Sequence, residues 1–319
     1  MTLLTHHLLF TAGVITPLEL DDNAGAAIRG AIVGALWDRF CTNKAAPACA
    51  ACPLVAVCPV AALIAPMREA GQPGGEHLPR PYVTRPPQGR RYRPGETLTF
   101  GLGLFGYAAE LFPYVVMAAQ GMDLTGLGRR LPENGGRRGQ VRLQAIDAVH
   151  PLTGERQSLF RAGERLVNAP GIPVGPEQVA AFAARLPDHQ LTLRFLTPLR
   201  LVDDRRLVRR PALRPLLQRL GIRLTDLAAA YSDAVPAVAD ARPLLPLAER
   251  ATLLADRTRW VDVVSYSSRT RERTPIGGLV GEAVFAGELG PLRELLVWGS
   301  LVHVGKNAVK GDGWYTIAP

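Results

Sequence analysis

The side chains best suited to chemistry fall in a few tight groups. Four cysteines, Cys41, Cys49, Cys52 and Cys58, are all the chain has, and they follow a C-x7-C-x2-C-x5-C spacing. The x2 pair, Cys49 and Cys52, is spaced to grip one ion, and four thiolates suit zinc in a closed tetrahedral site or an iron–sulfur cluster. Two disulfides or four packed thiols are the other readings, and a cytosolic chain disfavours the first. A closed four-thiolate site leaves no open position for substrate. The expected role is therefore structural, with zinc ahead of a cluster, stapling an insertion over 41–66 that lacks a core of its own.

The second group lies in Trp298–Ile317, where a short apolar helix runs into His303 and then a loop with Gly305, Gly311 and Gly313. Of the chain's three lysines, Lys306 and Lys310 sit in this loop. It reads either as a tight helix-to-strand connection or as a polyanion-binding loop, with the glycines letting a ligand approach the backbone N–H groups. The third group is a run of nine arginines, at 194, 200, 205, 206, 209, 210, 214, 219 and 223, against Asp203 and Asp204. Arg205, Arg206, Arg209 and Arg210 are its densest part, and an imbalance of this size favours phosphate contact over a merely solvated face. Arg269, with Arg271 and Arg273, fills a turn further on, and 126–139 forms a second glycine–arginine loop.

Composition agrees with an anionic partner. The net charge of +9 and pI near 9.9 point to nucleic acid before membrane. The one uncharged run long enough to span a bilayer, Ala48–Met67, contains Pro53, Pro59 and Pro66 and three cysteines, so it reads poorly as a helix. With the first positive side chain only at Arg29, no secretory leader is expected, and the reading is a soluble, cytoplasmic protein without a membrane partner.

These groups need elements to hold them. Leu3–Phe10 reads as a strand. Asp22 or Asn23 caps a helix over Ala24–Phe40, with Ile28, Ile32, Leu36 and Phe40 on one face. Pro66–Pro94 is an extended surface connection with room for one strand. Glu96–Leu104 alternates as a strand, Ala108–Gln120 is helical, and Val141–Val149 is a strand. The order is β-α-β-β-α-β, a ferredoxin-like unit over 1–150. Residues 151–189 read as a linker with a short helix at Glu177–Arg185. Beyond it, 190–319 repeats the order: a strand at Leu191–Leu201, helices at Leu213–Leu220 and Leu224–Tyr231, strands at Arg259–Ser267 and Ile276–Phe285, a helix at Leu292–Val302 and a strand at Trp314–Ile317. The fold class expected is α+β, two tandem ferredoxin-like (RRM-like) domains with the Cys-rich insertion in the first.

The set PGETLTFGLGLFG (94–106), LRFLTPLRL (193–201), WVDVVSYSSR (260–269), PIGGLVGEAVF (275–285) and HVGKNAVKGDGWYTI (303–317) resembles the CRISPR-associated endoribonucleases of the RAMP superfamily. The likeness runs from the Ala24–Phe40 helix to the C-terminus, and a four-cysteine insertion is found in one branch of that group. The resemblance implies a basic cleft that holds the CRISPR repeat of a precursor transcript. It implies cleavage by the ribose 2′-OH to cyclic-phosphate and 5′-OH ends, without a catalytic metal. Many members carry a catalytic histidine on or near the first helix, and Ala24–Phe40 has none. His303 and Lys306 are the catalytic candidates here. Gly305, Lys310, Gly311, Gly313, Arg205, Arg206, Arg209, Arg210 and Arg269 are the RNA-binding ones. His6, His7, Tyr82, Tyr266 and Ser267 stand in reserve, while His150 and His189 read as surface residues. The other reading is a non-catalytic crRNA-binding subunit of a CRISPR effector complex, with other effector subunits as partners.

Overall fold

A computed structural model describes residues 2–68, 78–266 and 273–318. The chain divides into two compact units, one made of His6–His150 with Gly154–Pro173, the other of Met1–Thr5, Pro151–Thr153 and Val174–Pro319.

The first unit is built on β1 (Thr5–Val14), whose side chains alternate between buried and partly exposed along its length. A two-residue strand, β2 (Leu18–Glu19), leads to α1 (Ala24–Phe40). Asn23 starts that helix: its side-chain oxygen accepts the Ala26 N–H at 3.0 Å, satisfying a donor that has no partner within the helix. Ile28, Ile32, Ala35 and Leu36 form the buried face, and extended backbone at Cys41 ends it. The cysteine insertion follows, with two 3-10 turns and α2 (Pro59–Ile64). Next come β3 (Tyr82–Arg85), β4 (Arg91–Tyr92) and β5 (Thr97–Phe105), then α3 (Phe112–Gln120) and α4 (Met122–Thr125). A ribbon of β6 (Leu127–Leu131) and β7 (Arg137–Gly139), then β8 (Val141–Val149) and β9 (Arg156–Arg161), complete the unit.

The sheet order is β3-β5-β1-β8-β9. Its first four strands have the ferredoxin-like arrangement, with the first strand central and the two helices supplying the crossovers. Phe10 and Phe100 stack at 4.9 Å within its core. The span 151–189, expected as linker plus helix, instead contributes β9, which pairs antiparallel with β8. Only Leu159 and Phe160 of that strand are buried, so an edge position leaves it without the alternation that marks the others. The helix expected there is α5 (Pro176–Ala183), the first helix of the second unit.

In the second unit β10 (Gln190–Leu199) is followed by a small hairpin, β11 (Val202–Asp203) and β12 (Arg206–Leu207), and by α6 (Leu213–Tyr231). The two helices expected over this last span are one: Leu216, Leu217, Leu220, Leu224 and Leu227 make a continuous buried stripe across the point where a break was read. Each such leucine contributes about 1.5–3 kcal/mol of burial. After α7 (Leu245–Arg250) comes β13 (Thr252–Val261). The strand expected at Arg259–Ser267 is therefore two pieces, since β13 stops at Val261 and β14 (Val264–Tyr266) pairs separately with β15 (Arg273–Pro275). Last come β16 (Gly278–Ala286), α8 (Arg293–Val302) and β17 (Tyr315–Ala318). The order β13-β16-β10-β17 repeats the ferredoxin-like arrangement of the first unit. Trp298 of α8 and Tyr315 of β17 are fully buried, and the Tyr315 hydroxyl donates to the Leu296 carbonyl at 2.6 Å.

Candidate functional site

The loop between α8 and β17 is fastened to its own unit at several points. Lys306 N–H donates to the Arg200 carbonyl at 3.1 Å, Gly313 N–H to the Pro198 carbonyl at 3.0 Å, and Val304 N–H to the Gly313 carbonyl at 3.2 Å. Trp314 N–H reaches the Thr197 hydroxyl at 2.9 Å. The loop is thus laid along the end of β10 rather than left free. Its glycines serve that close fit. Gly305 (φ +88°) and Gly313 (φ +70°) hold left-handed backbone; a Cβ at Gly305 would come within 2.6 Å of the Arg200 carbonyl, and one at Gly313 would collide with that of Val304. Gly311 and Gly313 are buried. The expectation that these glycines bring RNA close to the backbone is corrected to this extent: at Gly305 and Gly313 the approaching backbone is the chain's own.

His303 differs most from its expected place. It is 0% exposed, and its ring stacks on Trp314 with centroids 6.0 Å apart and planes 10° from parallel. Its backbone is left-handed (φ 58°), uncommon outside glycine. A ring buried in this way supports the loop from beneath and presents no nitrogen at the surface, so direct catalysis by His303 does not fit the geometry. Lys306, by contrast, is exposed. Lys310 donates to the Ser265 hydroxyl at 3.1 Å, linking the loop to β14. Asp312, between Gly311 and Gly313, is 4% exposed. Burial pushes its carboxyl up to about 8, while Lys310 and a hydrogen bond with Asn307 pull the other way.

The arginine run separates into two groups of four, with Arg194 apart from both. Four bind the protein's own carbonyls or carboxylates. Arg200 donates to the Gly277 carbonyl at 2.9 Å, and Arg219 to that of Val202 at 2.8 Å. Arg223 reaches the Val302 carbonyl at 2.8 Å, and Arg214 lies 3.4 Å from Asp203. Burial draws the Arg223 guanidinium down to about 10. The other group, Arg205, Arg206, Arg209 and Arg210, is exposed. Arg209 lies over the Trp260 ring at 4.5 Å, and Arg210 is 4.0 Å from Asp256. Arg194, the remaining member, is exposed on β10 and lies 3.7 Å from Glu282. Arg269, Arg271 and Ser267 lie outside the described residues, as does the side chain of Tyr266. Trp260, Thr197, Ser265 and Asp312 were not singled out from sequence; the glycines on either side of Asp312 were the one available signal.

The histidines held in reserve are mostly enclosed. His6 is half-buried and its pKa is lowered by burial; His7 and His150 are buried. His150 is thus corrected from surface to interior, while His189 is exposed as expected. Tyr82 is buried beside Arg29, with burial raising its pKa.

Cys41, Cys49, Cys52 and Cys58 are half-buried free thiols. Burial raises the Cys49 thiol first, and then Cys58, Cys41 and Cys52 do so by their charge, so the four share one neighbourhood. Asn43 donates to the Cys52 sulfur at 3.6 Å. The donor chemistry fits zinc or a cluster, although among the described residues no group of three or more His, Cys, Asp or Glu is arranged to hold a metal ion.

Two tandem ferredoxin-like units, the second with a fastened glycine loop after its last helix and exposed arginines, define the class by its fold, and comparison with known proteins narrows it. The AF_1859_N model, described as an N-terminal domain, matches residues 3–172, and the model for CRISPR-associated endoribonuclease Cas6 matches residues 193–315. Thermus thermophilus Cas6 superposes with a TM-score of 0.55 at 16% identity, covering 100% of both chains. A Cas6 product complex gives 0.55 at 17% identity over 99% of each chain. A partial Cas6-RT-Cas1–Cas2 complex gives 0.57 at 14%, covering 99% of this chain and 46% of the other. No curated protein sequence matches. The chain belongs to the family that the AF_1859_N model describes, its second unit matches the model for CRISPR-associated endoribonuclease Cas6, and the whole chain has the fold of the solved Cas6 structures. No helix among the described residues is long and apolar enough to cross a membrane.

Proposed function

We propose that this chain cuts within the repeat of a precursor CRISPR transcript by attack of the ribose 2′-OH on the adjacent phosphate. The 2′ oxygen gives up its proton and bonds to phosphorus, the bond to the 5′ oxygen breaks, and that oxygen takes up a proton. The products are a cyclic phosphate and a 5′-OH. The reaction needs proton transfer and charge stabilisation, and it has no required place for a metal. The observation that carries the reading is the exposure of Lys306 on a loop tied down at Arg200 and Pro198. An ammonium carried on an anchored backbone can stabilise the phosphorane's added charge. Arg205, Arg206 and Arg209 supply sequence-independent phosphate contacts on the same unit, and Lys310 and His303 shape the loop. Single-turnover cleavage of the cognate repeat RNA in excess chelator tests this. Cleavage should persist there, stop with a 2′-deoxy nucleotide at the scissile position, and slow with Lys306→Ala. Undiminished cutting of the deoxy substrate would rule out the mechanism.

The enclosure of His303, His7 and His150 favours one other reading, an RNA-holding subunit of a larger CRISPR complex that does not itself cut. It predicts tight, salt-sensitive repeat binding with no product in the same assay. On either reading Cys41, Cys49, Cys52 and Cys58 form a structural thiolate site, zinc before a cluster, supported by their shared neighbourhood. Purified protein should then carry about one zinc, or one cluster, per chain. Cys52→Ser should lose that metal and some stability, and metal-free protein of full stability would refute the site.

A further inference from the structure

The second glycine–arginine stretch, in the first unit, has no part in the activity above. It forms the ribbon β6–β7, with Arg130 directly opposite Arg138 and Leu131 opposite Arg137. Both members of the first pair are exposed. Like charges facing each other across a strand pair destabilise it. Glu133 lies in the turn between the strands, but among the described residues no ion pair holds Arg130, Arg137 or Arg138. The guanidinium of Arg130 donates to the Gly136 carbonyl at 3.3 Å, and that of Arg138 to the Gly128 carbonyl. The contrast with the adjoining groove is sharp. There Arg129 pairs with Glu19 and Asp21, Arg91 with Glu19, and Arg90 with Asp22. One set of arginines is thus paired with carboxylates and the next is not.

The ribbon is not a loose charged loop. Its root, Leu127, Gly128 and Gly139, is buried. Gly136 N–H closes the turn on the Leu131 carbonyl at 3.0 Å, and Asn134 ties the tip to the Pro17 carbonyl at 2.8 Å. No large apolar side chain between 127 and 139 is exposed, so the ribbon lacks the anchor of a protein–protein contact. The two arginines leave opposite backbone positions, one guanidinium held toward the tip at Gly136 and the other toward the root at Gly128, and such forks suit the oxygens of phosphodiesters.

We propose that Arg130 and Arg138 form a phosphate-binding pair for the backbone of single-stranded RNA, a contact separate from that of the second unit's loop and indifferent to sequence. The identity of the anion rests on the RNA reading above.

The test uses the full chain and a labelled poly(U) oligonucleotide, titrated over a series of salt concentrations. Arg130→Gln with Arg138→Gln should lower the slope of log K against log salt by about 0.7 for each phosphate that is no longer neutralised. The same substitutions should raise the melting temperature of the RNA-free protein, because the repulsion is relieved. Arg130→Lys should keep most of the slope. An unchanged slope overturns the proposal, and so does a lowered melting temperature, which would make the pair structural. Equal affinity for polyglutamate, abolished by the same substitutions, would point to an acidic protein partner and overturn the RNA assignment. Failure of the wild-type chain to cut its repeat would sink the nuclease reading while leaving the poly(U) comparison intact.

Discussion

Two stretches that look alike in sequence, 126–139 and 303–314, have opposite designs. Both mix glycine with basic residues. In the second, Gly313 and Gly305 sit where a side chain would strike Val304 or Arg200, and His303 and Asp312 are enclosed. In the first, Gly135 and Gly136 turn in open space with nothing within 4 Å, and the arginines point outward. Glycine therefore has two uses here: the second stretch, like the root of the first at Gly128 and Gly139, needs it for packing, and the tip of the first at Gly135 and Gly136 only for the sign of φ. A basic loop can be a rigid mount or an open hand, and composition does not say which.

Substitutions can break or sharpen that contrast. The largest effect should come from Gly313→Ala, which adds a collision with the Val304 carbonyl to left-handed strain. A loss of about 4 kcal/mol or more is expected, read by denaturant unfolding, with repeat binding abolished as well. A full-strength Gly313→Ala would mean the loop is not locked. Arg223→Met comes next. It leaves the Val302 carbonyl at the end of α8 without its donor, costing about 1–3 kcal/mol, and should slow cleavage through the displaced loop.

Asp312 gives a smaller, pH-dependent effect. Its carboxyl is held up to about 8 by burial. Between the ordinary carboxylate value and about 8, the folded chain keeps a proton that the unfolded chain has released. Stability from this group is therefore complete at low pH, falls as pH rises through that window, and levels off above 8. Melting temperatures of wild type and Asp312→Asn from pH 5 to 9 should show that slope flattened in the variant. Parallel curves would remove Asp312 from the lock. Gly135→Ala should cost least, about 1 kcal/mol of left-handed strain, with RNA affinity kept.

What the sequence conveyed follows the range of the forces involved. Helix α1 was legible in its bounds, with its cap narrowed to Asp22 or Asn23, because cap and apolar face are local. Strands β5 and β8 declared themselves by alternation. Strand β9 did not, since an edge strand with two buried residues has almost no pattern. The arginine run was legible as charge but not as function: a guanidinium that caps a distant carbonyl, as Arg219 does at Val202 and Arg223 at Val302, reads the same as one awaiting phosphate. His303 misled for a similar reason, because its stacking on Trp314 depends on how the loop folds back.

Strand β17 has a further consequence, in time rather than in space. It pairs with β10, matching Ile317 to Leu193 across nearly the whole unit. Such distant pairing bears a large loop-closure entropy and slows folding. The loop that carries Lys306 is strung between α8 and that strand, so it takes its shape only when β17 has docked. During refolding, recovery of repeat binding should accordingly lag behind the helical signal.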